Sequence, residues 1–383
     1  MAPLVDNQGM LTAVPPATPE DDLQAMRLAL AVAEQAVGLS DPNPRVGCVL
    51  RGEGWQVTGF TQAAGSAHAE VMALRAAREA GHDPRGATAY VSLEPCAHHG
   101  RTPPCCDALI DAGIARVVVA LEDPFPQVSG AGLERLRRAG VQVEVGLLAA
   151  QAREINIGFL SRVRRQRPWV RLKVAASLDG RTALNNGASQ WITGPEARAD
   201  GHAWRRRAGA VLTGMGTVKD DDPRLDVRLV PTARQPLRVV IDSRLDIAAS
   251  ARVLQPPGAA LVYTAVASPS AWPELPHVEV ATLPATPAGK TDLSALLADL
   301  ARRGINELHV EAGHRLNGSF LREGWVDELL VYLAPRMLGA GRDMAALGPL
   351  ERLADGLDFE FIDCTRVGAD LRLRLRPRGR DHF

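Results

Sequence analysis

His68-Ala69-Glu70, answered by Pro95-Cys96 and then by Cys105, is the stretch on which the reading of the first half turns. One imidazole and two thiols can hold a tetrahedral zinc ion and leave its fourth position to water, whose pKa such an ion lowers to about 7. Two helical positions from His68, the Glu70 carboxylate points away from the ligand and stays close by, which suits a group that moves protons. This is the layout of a hydrolytic deaminase, in which a glutamate that does not bind the metal shuttles protons between water, ring nitrogen and leaving amine. A closed structural zinc site would need a fourth ligand, and Cys106, His98 and His99 are the candidates. Adjacent side chains such as Cys105 and Cys106 diverge and seldom serve one ion.

Outward from the triplet, β and α patterns alternate. Leu23, Met26, Leu30, Ala33 and Val37 recur at three- and four-residue steps, so one face of a helix meets a core, with Asp21 or Asp22 near its start and Gly38 at its close. Residues 46–50 and 57–59 read as a hairpin around Gly52-Glu53-Gly54. A helix to Gly81, a strand at 87–93, a helix at 105–112, a strand at 116–121, a helix at 130–139 and a strand at 141–145 imply a sheet with helices packed on it. The zinc candidates fall where strands give way to helices, and a helix N-terminus favours thiolate over thiol. A helical segment then runs into Arg162-Val163-Arg164-Arg165-Gln166-Arg167-Pro168, a basic run that could touch phosphate but reads first as a solvated linker. The expected division is a loose tail at 1–19, a first domain at 20–147, a linker at 148–168 and a second domain at 169–383.

The second half repeats the alternation. Strands are expected at 169–175, 210–213, 237–241, 261–263, 307–310 and 328–333, helices at 195–208, 293–303 and 314–323, and a closing antiparallel pair at 360–367 and 370–375. Residues 265–291, rich in Ala and Pro, read as a surface connection. Gly214-Met-Gly216-Thr217 falls short of a dinucleotide fingerprint because Lys219 stands at the third glycine position. Gly313-His-Arg-Leu-Asn-Gly318-Ser319 lacks the lysine of a nucleoside-triphosphate loop, but opening a helix after a strand it can hold a phosphate on backbone N–H groups.

Composition narrows the partners. The 383 residues are 46% hydrophobic and 23% charged, with 44 basic and 44 acidic side chains, which exerts no overall pull toward nucleic acid or membrane. A nucleic-acid base deaminase needs a basic face and stacking aromatics, and an aromatic fraction of 4% speaks against one. Five unevenly placed cysteines are too few for a disulfide framework and fit reduced thiols in a cytosol. No apolar run reaches the roughly 18 residues of a membrane span, and the leader lacks the features of a signal peptide.

Glu94-Pro-Cys-Ala-His-His-Gly-Arg-Thr-Pro-Pro-Cys-Cys106, with Pro42-Asn43-Pro44-Arg45-Val46-Gly47, closely resembles the bifunctional deaminase–reductase family of riboflavin biosynthesis. Lys173-Val-Ala-Ala-Ser-Leu-Asp-Gly-Arg181, Ser189-Gln-Trp-Ile-Thr-Gly194, Asp221-Asp-Pro223, Ile241-Asp-Ser243 and Val310-Glu-Ala-Gly313 extend the resemblance over nearly the whole chain. It implies an α/β protein, with an N-terminal cytidine-deaminase-like α/β/α domain and a C-terminal dihydrofolate-reductase-like α/β domain. It implies Zn2+ on His68, Cys96 and Cys105, Glu70 as proton shuttle, and Asn43 as a pyrimidine contact. NADPH would meet Ala175, Trp191, Thr217, Asp221, Ser243 and the loop of Gly313, His314, Arg315, Leu316, Asn317, Gly318 and Ser319. A phosphorylated pyrimidine substrate would meet Ser189, Arg205, Leu225, Arg228 and Glu311, the two arginines pairing with its 5′-phosphate.

The resemblance further implies a homo-oligomer built through the second domain. Lys173 and Asp179 are candidates for the chemistry, each with an alternative as strand-end or turn structure, and His98, His99 and Arg101 stand between loop structure and a phosphate or substrate role. Cys48, Cys106, Trp55, Trp204 and Trp325 read as packing residues. Two departures stand out: Thr61 follows Phe60 where the family has a histidine, and His314 replaces a small residue or proline.

Overall fold

A computed structural model of the chain describes residues 18–97, 103–124, 129–266 and 272–381. His98, His99, Arg101 and the leader before residue 18 lie outside the described residues. Contacts divide the chain into two compact units, Met1–Ala36 with Arg45–Ile155, and Val37–Pro44 with Asn156–Phe383.

The first unit runs α1 (Pro19–Ala33), β1 (Gly47–Gly52), β2 (Trp55–Phe60), α2 (Ala69–Glu79), β3 (Thr88–Val91), α3 (Cys105–Asp111), β4 (Arg116–Val119), α4 (Ala131–Arg138), β5 (Gln142–Val145) and α5 (Ala149–Ile155). Its sheet has the order β2-β1-β3-β4-β5, antiparallel from β2 to β3 and parallel from β3 to β5. Thr18 and Asp21 form a capping box at the start of α1. The helix buries Ala25, Met26, Ala29 and Leu30 with Tyr90 and Val118 of the sheet. Asp22 is buried on the same face but paired: Tyr90 Oη donates to it at 2.6 Å, and Arg116 forms two bonds at 2.8 and 2.6 Å. That clasp pins α1 across β3 and β4. On the edge strand β2, a Cβ on Gly59 would lie 2.4 Å from Ala69 O, so only glycine lets the first turn of α2 rest directly on it.

The second unit runs α6 (Ile157–Arg165), β6 (Trp169–Ser177), β7 (Arg181–Leu184), α7 (Pro195–Arg207), β8 (Ala210–Gly214), α8 (Met215–Asp221), β9 (Leu237–Ile241), β10 (Ala260–Thr264), β11 (Val278–Thr282), α9 (Leu293–Arg302), β12 (Glu307–Val310), α10 (His314–Arg322), β13 (Glu328–Ala334), β14 (Gly341–Asp343), β15 (Phe359–Val367) and β16 (Asp370–Pro377). Nine strands form one sheet in the order β11-β10-β9-β8-β12-β6-β13-β16-β15, parallel through β13 and antiparallel at the β16-β15 edge. The chain walks outward to β11 and then returns to insert β12 between β8 and β6. Alternation along β6 sends Val170, Leu172, Val174 and Ala176 into a core with Leu296, Leu300 and Phe320. Its other face carries Arg171 in a buried charge cluster, paired to Glu307 at 2.8 Å and Glu328 at 2.6 Å. Arg374 and Arg376 add bonds to Glu328 at 2.9 and 2.8 Å, and the Trp204 ring lies 4.4 Å from the Arg171 guanidinium. Burial alone would raise the Glu328 pKa; the arginines drive it below the usual carboxylate range.

Three features differ from the sequence expectation. The basic run is solvated only in part: Arg164 is exposed, but Arg165 and Arg167 pair with fully buried Asp327 at 3.2 and 2.7 Å, because a buried carboxylate just before β13 demands cations. The stretch 265–291 contains β11, an edge strand whose half-exposed pattern hides the strand signal. β7 and β14 make a separate two-stranded sheet from segments too far apart in sequence to announce each other.

Candidate active sites

In the first unit, α2 begins immediately after His68, and Cys96 lies on the turn that follows β3. Cys105 is the first residue of α3. The Cys96 and Cys105 sulfurs lie 3.6 and 3.3 Å from His68 Nδ1, and all three donor atoms fall within 4.8 Å of one another. Zinc bonds of about 2.0 Å to nitrogen and 2.3 Å to sulfur at tetrahedral angles separate the donors by roughly 3.5–3.8 Å, so the triad fits that ion. The Cys105 N–H donates to Cys96 Sγ at 3.3 Å. The Cys105 thiol hydrogen-bonds Cys96, which lowers Cys96 to about 4 and raises Cys105 itself. Both become thiolates when a metal replaces the shared proton. Among the described residues no fourth His, Cys, Asp or Glu joins the group; Cys106 turns toward Asp107, and burial raises its thiol to about 11.

Glu70 is 3% exposed, and burial first, then Cys96, lifts its carboxyl to about 7. A divalent cation among the three donors opposes that rise. Thr61 is buried with its hydroxyl on the Val46 backbone, accepting from N at 3.3 Å and donating to O at 3.5 Å, so it serves the β1–β2 pairing. Asn43 falls in the segment Val37–Pro44, whose contacts belong to the second unit.

The second unit holds a cleft of about 1550 Å³ at the carboxyl ends of its parallel strands, where open α/β sheets bind ligands. Every residue expected to meet NADPH lines it except Gly318, as do all five expected second-unit substrate contacts, Ser189, Arg205, Leu225, Arg228 and Glu311. Gly318 instead abuts Ala346, whose carbonyl oxygen would sit 2.2 Å from an added Cβ. Gly313 is the N-cap of α10, so the N–H groups of its first turn face the cleft without helical acceptors. Asn317 lines the same place; its Nδ2 donates to Met344 O at 2.9 Å, while its buried Oδ1 has no donor among the described residues. Trp191 is 60% exposed, with the Arg198 guanidinium 4.6 Å over its ring. An amide acceptor, a helix terminus and an exposed ring fit a dinucleotide. Ser243 Oγ accepts from Thr291 N at 2.9 Å, and Ser189 Oγ donates to Asp221 at 3.2 Å.

Glu311 stands at the centre of the cleft's charge. Arg205 grips it at 2.5 and 3.0 Å, Lys173 Nζ lies 3.6 Å away, and buried His309 Nε2 lies 3.4 Å away. Burial would raise the Glu311 pKa, but Arg205, Lys173 and His309 bring it well below the carboxylate range. The third Arg205 branch donates to Asp226 O at 3.0 Å, so this guanidinium is committed within the protein, whereas Arg228 is 46% exposed beside Asp226. Asp179 takes no place in the cleft lining; it accepts from Ser177 Oγ at 2.5 Å and Gly339 N at 2.7 Å, the Ser177 bond foremost in lowering it to about 2. His309 escaped the sequence reading, although it shares a strand face with Glu311 two residues on. Glu94, buried beside the Cys96 turn, escaped it too, hidden inside a motif read for its cysteine.

Residues 168–373 match the family described as the RibD C-terminal domain, and residues 19–121 match the cytidine and deoxycytidylate deaminase zinc-binding region. RibD of Escherichia coli, a riboflavin biosynthesis protein, is 46% identical over 91% of this chain and 98% of its own. The solved structure of Acinetobacter baumannii RibD is similar with a TM-score of 0.82 at 40% identity, covering 94% of this chain and 99% of that one. A Thermotoga maritima diaminohydroxyphosphoribosylaminopyrimidine deaminase/5-amino-6-(5-phosphoribosylamino)uracil reductase has a TM-score of 0.84 at 34% identity, over 93% of this chain and 98% of that one. With a donor triad that fits zinc in one unit and a dinucleotide-fitting cleft in the other, this enzyme chain belongs to the RibD family of bifunctional deaminase–reductases of riboflavin biosynthesis, which use Zn2+ and NADPH.

Proposed function

We propose that the two sites act in sequence on one phosphorylated pyrimidine. The first removes ammonia from 2,5-diamino-6-(5-phosphoribosylamino)pyrimidin-4(3H)-one, and the second reduces the ribosyl group of the resulting uracil to ribityl. The observation that carries this reading is the donor triad beside a buried carboxylate, in a chain that also holds the Glu311 cleft. When bound, zinc supplies an acidified water and NADPH supplies hydride. His68, Cys96 and Cys105 hold the metal, and Glu70 carries protons to the ring nitrogen and the leaving amine. In the cleft, Lys173 delivers a proton as the sugar ring opens, and Glu311 holds that ammonium in place. Arg205 orients Glu311, and Arg228 is the arginine offered to the 5′-phosphate. Gly313 and the first turn of α10 receive cofactor phosphate, and Asn43 meets the pyrimidine.

The deaminase domain spans 20–147 and the reductase domain 169–383. Among the described residues no helix is long and apolar enough to cross a membrane. The protein works in the cytosol, where its thiols stay reduced. A homo-oligomer forms through the second unit, for which the β15 edge, with Phe361 68% exposed and Ile362 44% exposed, offers an apolar surface. Incubating the protein with the diaminopyrimidine and NADPH while following ammonia and NADP tests the sequence: ammonia must appear without NADPH, and NADP only after ammonia. NADPH consumption without deamination would sink the order.

A further inference from the structure

We propose that helix α4 is the brace that sets the spacing of the two zinc thiolates, with Glu94 and Arg135 as its positioning residues. The proposal rests on the reading of His68, Cys96 and Cys105 as the zinc site. Cys96 sits in a turn outside any helix or strand, and Cys105 opens a helix of only seven residues. Metal geometry tolerates little error, so something must hold these two pieces of backbone in register. Among the described residues the bonds between them are Cys105 N to Cys96 Sγ at 3.3 Å and Cys106 N to Cys96 O at 3.2 Å.

Helix α4 contributes no ligand yet touches both pieces. Glu94, 4% exposed, stands two residues before Cys96 and accepts four backbone N–H groups. They come from Asp123 at 3.1 Å, Gly130 at 3.0 Å, Gly132 at 2.9 Å and Leu133 at 3.4 Å. Three of these donors are the N-cap and first turn of α4, where a carboxylate also meets the positive end of the helix dipole. The residue between Glu94 and Cys96 is held as closely, since a Cβ on Gly132 would lie 2.1 Å from Pro95 O.

One turn further along α4, Arg135 closes the other side. Its guanidinium donates to Ala97 O at 3.3 Å and to Asp107 at 2.8 Å. Ala97 follows Cys96, and Asp107 is two residues into α3 from Cys105. A single side chain thus links the Ala97 backbone of one thiol segment to the Asp107 carboxylate of the other, and α4 grips residues on each side of Cys96. The Arg135–Asp107 pair is half exposed, at 46% and 27%, and pairs of that kind add little to stability. Buried Leu133 and Leu136 supply the packing of α4. Loss of Arg135 should therefore be felt at the metal before it is felt in the fold.

The test uses the full chain with Zn2+ removed by a competing chelator, and with Co2+ substituted for its ligand-field spectrum. Arg135→Ala should weaken metal binding by about 10- to 100-fold, a range usual for groups that orient metal ligands. It should also shift the Co2+ bands and lower kcat for ammonia release with little change in KM. NADPH consumption with supplied deaminated pyrimidine should stay unchanged, which certifies the second unit, and an unchanged thermal unfolding midpoint of the first unit by circular dichroism certifies the fold around α4. Arg135→Lys, able to keep one of the two links, should recover part of the affinity, and Gly132→Ala should weaken it further than Arg135→Ala does. Should Gly132→Ala fail to fold, Arg135→Ala decides alone. Unchanged metal affinity and Co2+ spectrum in Arg135→Ala, beside loss of metal in Cys96→Ser, overturns the brace. Retention of metal by Cys96→Ser overturns the zinc reading and the brace with it.

Discussion

Glu70 and Glu311 are both buried carboxylates, one beside the donor triad and one in the cleft of the second unit, yet their surroundings pull them in opposite directions. Around Glu70, burial foremost and then the Cys96 sulfur lift its pKa to about 7, a rise that a cation held by the triad would oppose. Around Glu311 stand Arg205, Lys173 and His309, and the same desolvation is overwhelmed. Burial pushes both carboxyls upward, and the neighbours decide whether that direction survives. The contrast divides labour between the units. A carboxylate poised between states can take and return protons, whereas one locked in its ionised form can only hold and orient a cation.

That contrast can be broken most decisively at Glu70. Glu70→Ala should lower ammonia release by at least about 10²- to 10⁴-fold, the range of general acid–base contributions, with zinc content unchanged by metal analysis. The mutant should still oxidise NADPH when given the deaminated intermediate. Ammonia release at the wild-type rate would remove Glu70 from the mechanism. At the second site, Glu311→Gln leaves Arg205 and Lys173 without their shared countercharge. It should cost the second unit about 3–5 kcal/mol in denaturant unfolding, the cost of stranding a buried charge, and should abolish reduction while ammonia still forms. An unshifted unfolding midpoint would show that the Arg205 clasp carries nothing.

Acid sharpens the comparison further. Glu311 and Glu328 have folded pKa values below the unfolded carboxylate value of about 4.3, so their stabilisation is present above that pH and lost as pH falls through the folded values. Five of the six tryptophans stand at or beyond Trp169, so fluorescence reports the second unit. Its unfolding midpoint should hold near neutrality and drop steeply below roughly pH 4; a flat response down to about pH 3 would contradict the linkage. The smallest effect is expected at Thr61. Thr61→Val removes one hydroxyl from the Val46 backbone and should cost about 1 kcal/mol without altering the KM for the pyrimidine. A raised KM would mark Thr61 as a substrate contact after all.

How much of this was legible depended on how local the signal is. The donor triad reads directly because its members lie within 38 positions, from His68 to Cys105, two of them at the starts of helices. The parallel strands of the second unit announce themselves as apolar runs such as residues 210–213, because both of their faces are covered. β11 gives no such run, with Glu279 and half-exposed neighbours at the sheet edge. The cleft was invisible to spacing because its parts come from separate strand ends: Lys173 on β6, Thr217 on α8 and Glu311 beyond β12. No pattern within the chain places Arg205 against Glu311 across 106 positions. Resemblance supplied those residues, and geometry then separated Arg205, already committed to a carboxylate, from half-exposed Arg228.

The cluster of Arg171, Glu307 and Glu328 also bears on how the sheet finds its pairing. Side chains alternate faces along a strand, so slipping β13 by one residue against β6 would carry Glu328 from its arginines into the layer formed by Val170 and Leu172. Such a slip strands a carboxylate in hydrocarbon and leaves Arg171 facing an aliphatic side chain, a penalty no apolar strand could impose. Apolar residues drive these strands together in any alignment; the charges reject all but one. The centre of the second unit thus carries its own proofreading, written in residues that contribute little attraction and a great deal of discrimination.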